Sequence, residues 1–129
     1  MRVDDLIGAR FSVHGRSLKD GFDCYGLAIE VSRRYGHELP DLEYMKSDEY
    51  TMNTNYESVL TKLGDEIKKI PCEDVSEGDL LLFQDAKARS THIGVCLGNG
   101  RFIHCDIGGV RVSRIEYYGR KFGAYRWQK

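Results

Sequence analysis

Cys24 is the residue in this chain best placed to do chemistry. It follows the turn Asp20-Gly21-Phe22-Asp23 and opens a segment in which Cys24, Leu27, Ala28, Val31 and Tyr35 recur at helical spacing. A cysteine at a helix start meets backbone N–H groups that no helical carbonyl satisfies, together with the positive end of the helix dipole. Both favour the thiolate and predict a lowered thiol pKa. The same N–H groups can receive the oxyanion of a tetrahedral intermediate. The plainer alternative is that Cys24 only continues the apolar stripe of its helix.

A nucleophilic thiol needs a base, and the base needs an orienting group. Of the four histidines, His37 lies in a polar turn after the helix and reads as solvated. His92 and His104 lie on two apolar runs, His92–Leu97 and Arg101–Asp106, separated by Gly98-Asn99-Gly100. If those three residues form the loop of a hairpin, Leu97 stands opposite Arg101, His104 opposite Gly94 and His92 opposite Asp106. Paired residues share a face, so the two histidines project to one side as diagonal neighbours, roughly 7–8 Å apart at the backbone. Gly94 leaves room for the His104 ring. His92 is then the expected base, with His104 or Asp106 as the orienting group. The same residues permit a metal alternative, with Cys24, His92 and His104 as ligands and Cys96 or Asp106 as a fourth. No familiar zinc spacing accompanies them, so neither a metal nor any other cofactor is expected.

The elements that must position these groups follow from the patterning. Asp23 is the expected cap of the helix starting at Cys24, and Gly36 and Pro40 are its stop. Residues 37–54 are polar and turn-rich. Tyr56, Val59, Leu60, Leu63, Ile67 and Ile70 form one helical stripe, with Asn53, Thr54 or Asn55 as cap and Pro71 as stop. Beyond residue 72 the period becomes that of strands: Leu80–Phe83, His92–Leu97, Arg101–Asp106, Gly109–Ile115 and Phe122–Trp127. Helices first and antiparallel strands afterwards predict an α+β fold, with N-terminal helices packed on a C-terminal sheet of about five strands.

Composition narrows the class. The 129 residues suit a single domain spanning 1–129, and 41% hydrophobic with 30% charged residues is an ordinary globular balance. The net charge of −1 argues against nucleic acid as the main partner, and Arg111, Arg114, Arg120, Lys121, Arg126 and Lys129 read as a solvated face. The longest apolar run, Leu80-Leu81-Leu82-Phe83, falls far short of the roughly 20 residues of a membrane helix. The start, Met1-Arg2-Val3-Asp4-Asp5, has no apolar stretch, so a secretory signal is not expected. Synthesis in a reducing cytoplasm is therefore expected, with Cys24, Cys72, Cys96 and Cys105 as free thiols.

Four blocks, in order, are similar to a known family. Gly21-Phe22-Asp23-Cys24-Tyr25-Gly26-Leu27 resembles the G-F-D-C-S-G-L/F signature of the NlpC/P60 cysteine peptidases. Gly78-Asp79-Leu80-Leu81-Leu82-Phe83 resembles their G-D-L-V-F strand, and Thr91–Gly98 their H-V-G-I-Y-L-G strand. Phe102-Ile103-His104-Cys105 resembles their M-I-H-A strand. The resemblance implies a papain-like fold and cleavage of amide bonds in peptidoglycan stem peptides or muropeptides. It implies a catalytic Cys-His-His triad of Cys24, His92 and His104, and so favours His104 over Asp106. It also points to Asp23, Tyr25 and His14 as residues that line the substrate site.

Two departures from the family pattern matter. Tyr25 stands where the family usually has serine, and with Gly36–Asp41, read as G-H-E-L-P-D, it resembles the phage-associated branch. That implies phage tail proteins as partners, and a virion-associated location or release on lysis. Many family members have a tyrosine about twelve residues before the cysteine, where this chain has Phe11 and Ser12 with His14 nearby. The expected function is a cysteine endopeptidase working through a Cys24 thioester. The alternative is a catalytically silent tail or binding module of the same fold, and amidase or transglutaminase-like acyl transfer is a third reading of the same groups.

Overall fold

The computed structural model describes residues 2–42, 45 and 54–128. The candidate cap Asn53, most of the polar stretch after residue 42 and Lys129 lie outside the described residues. A two-stranded ribbon, β1 (Arg16–Ser17) and β2 (Gly21–Phe22), leads into helix α1 (Cys24–Arg34). Helix α2 (Tyr56–Thr61) follows, then strands β3 (Ile67–Ile70), β4 (Leu80–Gln84), β5 (Ser90–Gly98), β6 (Arg101–Asp106) and β7 (Gly109–Arg114). A short helix α3 (Ile115–Tyr118) and strand β8 (Phe122–Trp127) complete the described chain. The strands from β3 to β8 form one antiparallel sheet in the order β3-β8-β4-β5-β6-β7.

Strand β4 is apolar from Leu80 to Phe83 because both its faces are covered there. Leu80 and Leu82 join Ile93, Val95, Ile103 and Cys105 in a core that takes Leu27, Ala28 and Val31 of α1. Leu81 and Phe83 turn the other way, to Cys96, Phe102 and Ala124. Helix α1 lies against β5 and β6, and α2 against β5. Each buried Leu or Val of α1 contributes about 1.5–3 kcal/mol to that attachment. The helix ends as its sequence predicts: Gly36 takes φ 88, its N–H reaches Arg33 O and the His37 N–H reaches Ser32 O. That pair of bonds is a Schellman closure, and it needs a left-handed residue at Gly36.

Three expectations are corrected. The stripe from Tyr56 to Ile70 is not one helix: α2 stops at Thr61, a 3-10 turn covers Gly64–Glu66, and Ile67–Ile70 is a strand paired with β8. The sheet therefore has six strands, not about five. Ile67 and Ile70 stand three apart, which on a strand sends them to opposite faces, and they do pack against different core clusters. An edge strand with one apolar residue at each end, on opposite faces, thus imitated helical spacing. The third correction concerns the hairpin loop, which is Asn99-Gly100 alone, with φ 55 and φ 74. Both positive angles fit a type I′ turn. Gly98 pairs with Arg101, and a bulge between Cys96 and Gly98 restores Cys96 opposite Phe102 and Gly94 opposite His104. A shorter loop and an extra bulged residue cancel, so the expected parity of the histidines holds.

Candidate active site

The start of α1 is assembled before Cys24 is placed. Asp23 adopts extended backbone, and its Oδ1 accepts from the Gly26 N–H at 2.7 Å, the cap expected of it. Arg16 Nη1 donates to the same oxygen at 2.8 Å, and its Nε donates to Asp41 Oδ1 at 3.1 Å. The guanidinium thus ties the β1–β2 ribbon, the helix cap and the segment after α1 together. Gly26 is required here, because a Cβ on it would stand 2.0 Å from Gly15 O. Tyr25 is fully buried, donates from its hydroxyl to Pro40 O at 2.5 Å and lies under the Arg16 guanidinium. Asp23, expected to bind substrate, is 7% exposed and holds the helix start. Tyr25, also expected there, is 0% exposed and belongs to the core.

Cys24 is half-buried and its sulfur meets the Tyr56 hydroxyl at 3.3 Å. The backbone N–H groups of Ile93 and Tyr25 also face the sulfur, so the thiol sits against the strand residue next to His92. Burial pushes its pKa up to about 11, against the smaller downward pull of the Tyr56 hydroxyl. This overturns the expectation of a lowered pKa: withdrawal from water outweighs the favourable N–H groups. The resting group is a neutral thiol.

Tyr56 escaped the sequence reading, where it was one more apolar position of a stripe. It is the first residue of α2, with Asn55 as cap accepting from the Glu57 N–H. Its ring stacks on Tyr25 at 5.5 Å between centroids and 5° between planes. Stacking on a residue adjacent to the cysteine is what brings the hydroxyl to the sulfur.

His92 and His104 do come together. His92 Nε2 and His104 Nδ1 are 2.8 Å apart, and His104 Nε2 and Ser113 Oγ 2.9 Å apart. Gly94 provides the space, since a Cβ there would lie 2.8 Å from the Phe102 ring and 3.3 Å from His104 Cβ. The face that carries the pair is not polar. Tyr118 of α3 packs on both rings, at 6.0 and 5.1 Å between centroids, while Phe83 borders His92 and Phe102 borders His104. Burial lowers both histidine pKa values well below the ordinary range. For His92 the His104 ring adds to the effect, and for His104 the Arg111 charge does. Both rings are neutral near pH 7.

The alternatives to this set resolve by contact. Asp106 accepts from Arg111 Nη1 and from the Gly108 N–H, both at 2.9 Å, so it is engaged away from His92. Cys96 receives the Gly98 N–H at 3.4 Å, and among the described residues no group of three or more His, Cys, Asp or Glu is arranged to hold a metal. His14 is half-buried in the loop before β1, where it takes the left-handed φ of 62. Ser113 and Tyr118, like Tyr56, carry no local signal that marks them. In the sequence they are a serine of an alternating strand and a tyrosine of a turn.

Chemically, His92 Nε2 is committed to His104, so Nδ1 is the ring nitrogen left to exchange a proton with a nucleophile. The Tyr25 N–H at the helix start and the Ile93 N–H of β5 face the sulfur, donors of the kind an oxyanion needs.

Comparisons with known proteins bear on the fold and the family. The murein DD-endopeptidase MepS/murein LD-carboxypeptidase of Escherichia coli K12 is 28% identical over 126 residues, which is 95% of this chain and 57% of that protein. The chain thus spans little more than half the length of that relative. The structure of NlpC1 from Trichomonas vaginalis superposes with a TM-score of 0.71 at 21% identity, over 99% of this chain and 42% of that one. RipD of Mycobacterium tuberculosis is described as a non-catalytic NlpC/p60 domain protein adapted to peptidoglycan binding. It superposes with a TM-score of 0.63 at 19% identity, over 97% of this chain and 91% of that one. The NlpC/P60 family model matches residues 8–127, and the chain belongs to the NlpC/P60 family.

Proposed function

We propose that the protein is a cysteine endopeptidase that hydrolyses amide bonds of peptidoglycan stem peptides through a Cys24 thioester. The observation that carries this reading is a thiol at a capped helix start, set against the strand that bears the hydrogen-bonded His92–His104 pair. His92 Nδ1 takes the thiol proton as sulfur attacks the scissile carbonyl carbon. N–H groups at the start of α1 hold the oxyanion. Its collapse expels the amine, which receives the proton from His92, and leaves the acyl group on sulfur. Water, deprotonated by His92, then releases the carboxylic acid and restores the thiol. His104 keeps the His92 ring oriented throughout. The murein endopeptidase relative supports peptidoglycan as the substrate class.

The test is digestion of purified muropeptides, followed by chromatography and mass spectrometry. The wild-type chain is expected to yield cleaved stem peptides. Cys24→Ala is expected to yield none while keeping its fold, since alanine suits a helix start. Equal turnover by Cys24→Ala would overturn the assignment.

A second reading is a peptidoglycan-binding module without catalysis. The neutral thiol engaged by Tyr56 and the fold shared with RipD support it. Retention on insoluble peptidoglycan, with no cleavage and no reaction of Cys24 with iodoacetamide at neutral pH, would favour it. In either reading, Tyr25 and the Gly36–Asp41 segment support the phage-associated type, with a tail protein as partner.

A further inference from the structure

We propose that Ser113 is a positioning residue, whose hydroxyl accepts the His104 Nε2–H and so fixes the tautomer in which His92 presents a bare Nδ1. The inference rests on the Cys24–His92 chemistry proposed above. A neutral imidazole carries one N–H, and the 2.8 Å contact between His92 Nε2 and His104 Nδ1 needs one proton between them. Two arrangements satisfy it. In one, His92 Nε2–H donates to His104 Nδ1, so the His104 proton resides on Nε2 and must be accepted at Ser113 Oγ, 2.9 Å away. In the other, Ser113 O–H donates to His104 Nε2, His104 Nδ1–H donates to His92 Nε2, and the remaining His92 proton sits on Nδ1. The second arrangement has no base to offer the thiol. Both rings are buried, His104 completely, so a doubly protonated ring does not relieve the choice.

The proposed Cys24–His92 chemistry selects the first arrangement, and that arrangement needs an acceptor for the His104 Nε2–H, which Ser113 Oγ is placed to supply. Ser113 lies on β7, the edge strand, directly opposite Phe102, and β7 places Arg111 opposite His104. Two residues along the same strand, Ser113 shares that face with Arg111. The side chain is half-buried, and in the proposed arrangement a lone pair of its oxygen takes the ring proton. Asp106 does not compete for this task, because Arg111 and the Gly108 N–H hold it.

The experiment compares Ser113→Thr with Ser113→Val, two side chains of one shape that differ in the hydroxyl. Long-range 1H–15N correlation on histidine-labelled protein reads each tautomer without any substrate. The wild type and Ser113→Thr are expected to show protonated Nε2 and bare Nδ1 on both rings. Ser113→Val is expected to populate Nδ1–H on both, with alkylation of Cys24 by iodoacetamide at pH 7 slowed about fivefold, the worth of one ordinary hydrogen bond. Wild-type rings protonated at Nδ1, or a Ser113→Val protein with wild-type tautomers and alkylation, would overturn the assignment. Because the tautomers are read without substrate, absent peptidoglycan cleavage in a protein with the expected spectra overturns the peptidase reading alone and leaves the Ser113 assignment supported.

Discussion

At Cys24 two effects act on one sulfur. The helix start and its N–H groups favour the thiolate by about 0.3–1 kcal/mol, rising to about 2 kcal/mol where the site is partly buried. Removing a charge from water costs more, and the balance leaves the thiol near a pKa of about 11. In the proposed peptidase reading, a neutral thiol and a neutral imidazole are activated by proton transfer during attack rather than stored as an ion pair. The Tyr56 hydroxyl is the side chain that counters the burial. Tyr56→Phe keeps the ring stacked on Tyr25 and removes the hydroxyl bond to sulfur. The pH profile of Cys24 alkylation is expected to move upward by about one pH unit, the effect of losing one hydrogen bond to a charged group. An unchanged profile would reduce Tyr56 to a packing contact. Cys72, which is exposed and bonded to Phe122 O, serves as the internal reference for the reagent.

The paired strands β5 and β6 hold the imidazoles, and their spacing depends on a missing side chain. At Gly94 the Phe102 ring and His104 Cβ fill the space that a methyl group would need. Gly94→Ala must push a packed aromatic ring or part the strands. Overpacking of this kind is expected to cost about 1–3 kcal/mol, read as a lower urea midpoint at unchanged slope. A midpoint equal to wild type would mean that the hairpin yields freely and that Gly94 is no constraint. The periodic signal itself was ambiguous in this part of the chain. The Ile67 and Ile70 spacing fitted a helix face, and Gly64 at φ 58 and pairing with β8 decide for a strand. Parity on β5 and β6 was more robust, because a loop residue lost and a bulge residue gained leave the faces unchanged.

For the molecule as a whole, the buried histidine pair couples stability to acidity. Both rings titrate lower in the folded chain than in the unfolded one. Between the lowered folded values and the ordinary value of about 6.5, the unfolded chain binds more protons, so stability rises with pH in that window. Falling pH therefore removes stability, steepest at about 1.4 kcal/mol per pH unit for each histidine. Thermal midpoints are expected to be level near pH 7–8 and to fall steadily below about pH 6. His104→Gln should flatten part of that slope. A midpoint constant down to pH 4 would show that the rings are not held neutral by the fold.

Much of the site was legible because it depends on local geometry. A capping Asp23, an apolar stripe from Cys24 and a left-handed Gly36 specify a helix and its register with no distant partner. Alternation along two strands joined by a short loop puts His92 and His104 on one face wherever the sheet lies. The rest depends on elements brought from far along the chain. Tyr56 reaches Cys24 through stacking on Tyr25, and Ser113 reaches His104 across the β6–β7 pairing. Ile67–Ile70 becomes a strand because β8 lies beside it. Protonation was beyond reading from residue types, since it follows from how deeply each group is withdrawn from water. The sequence determined which groups can react. The tertiary structure decided their charge and their neighbours, because burial and contact are properties of the packed chain.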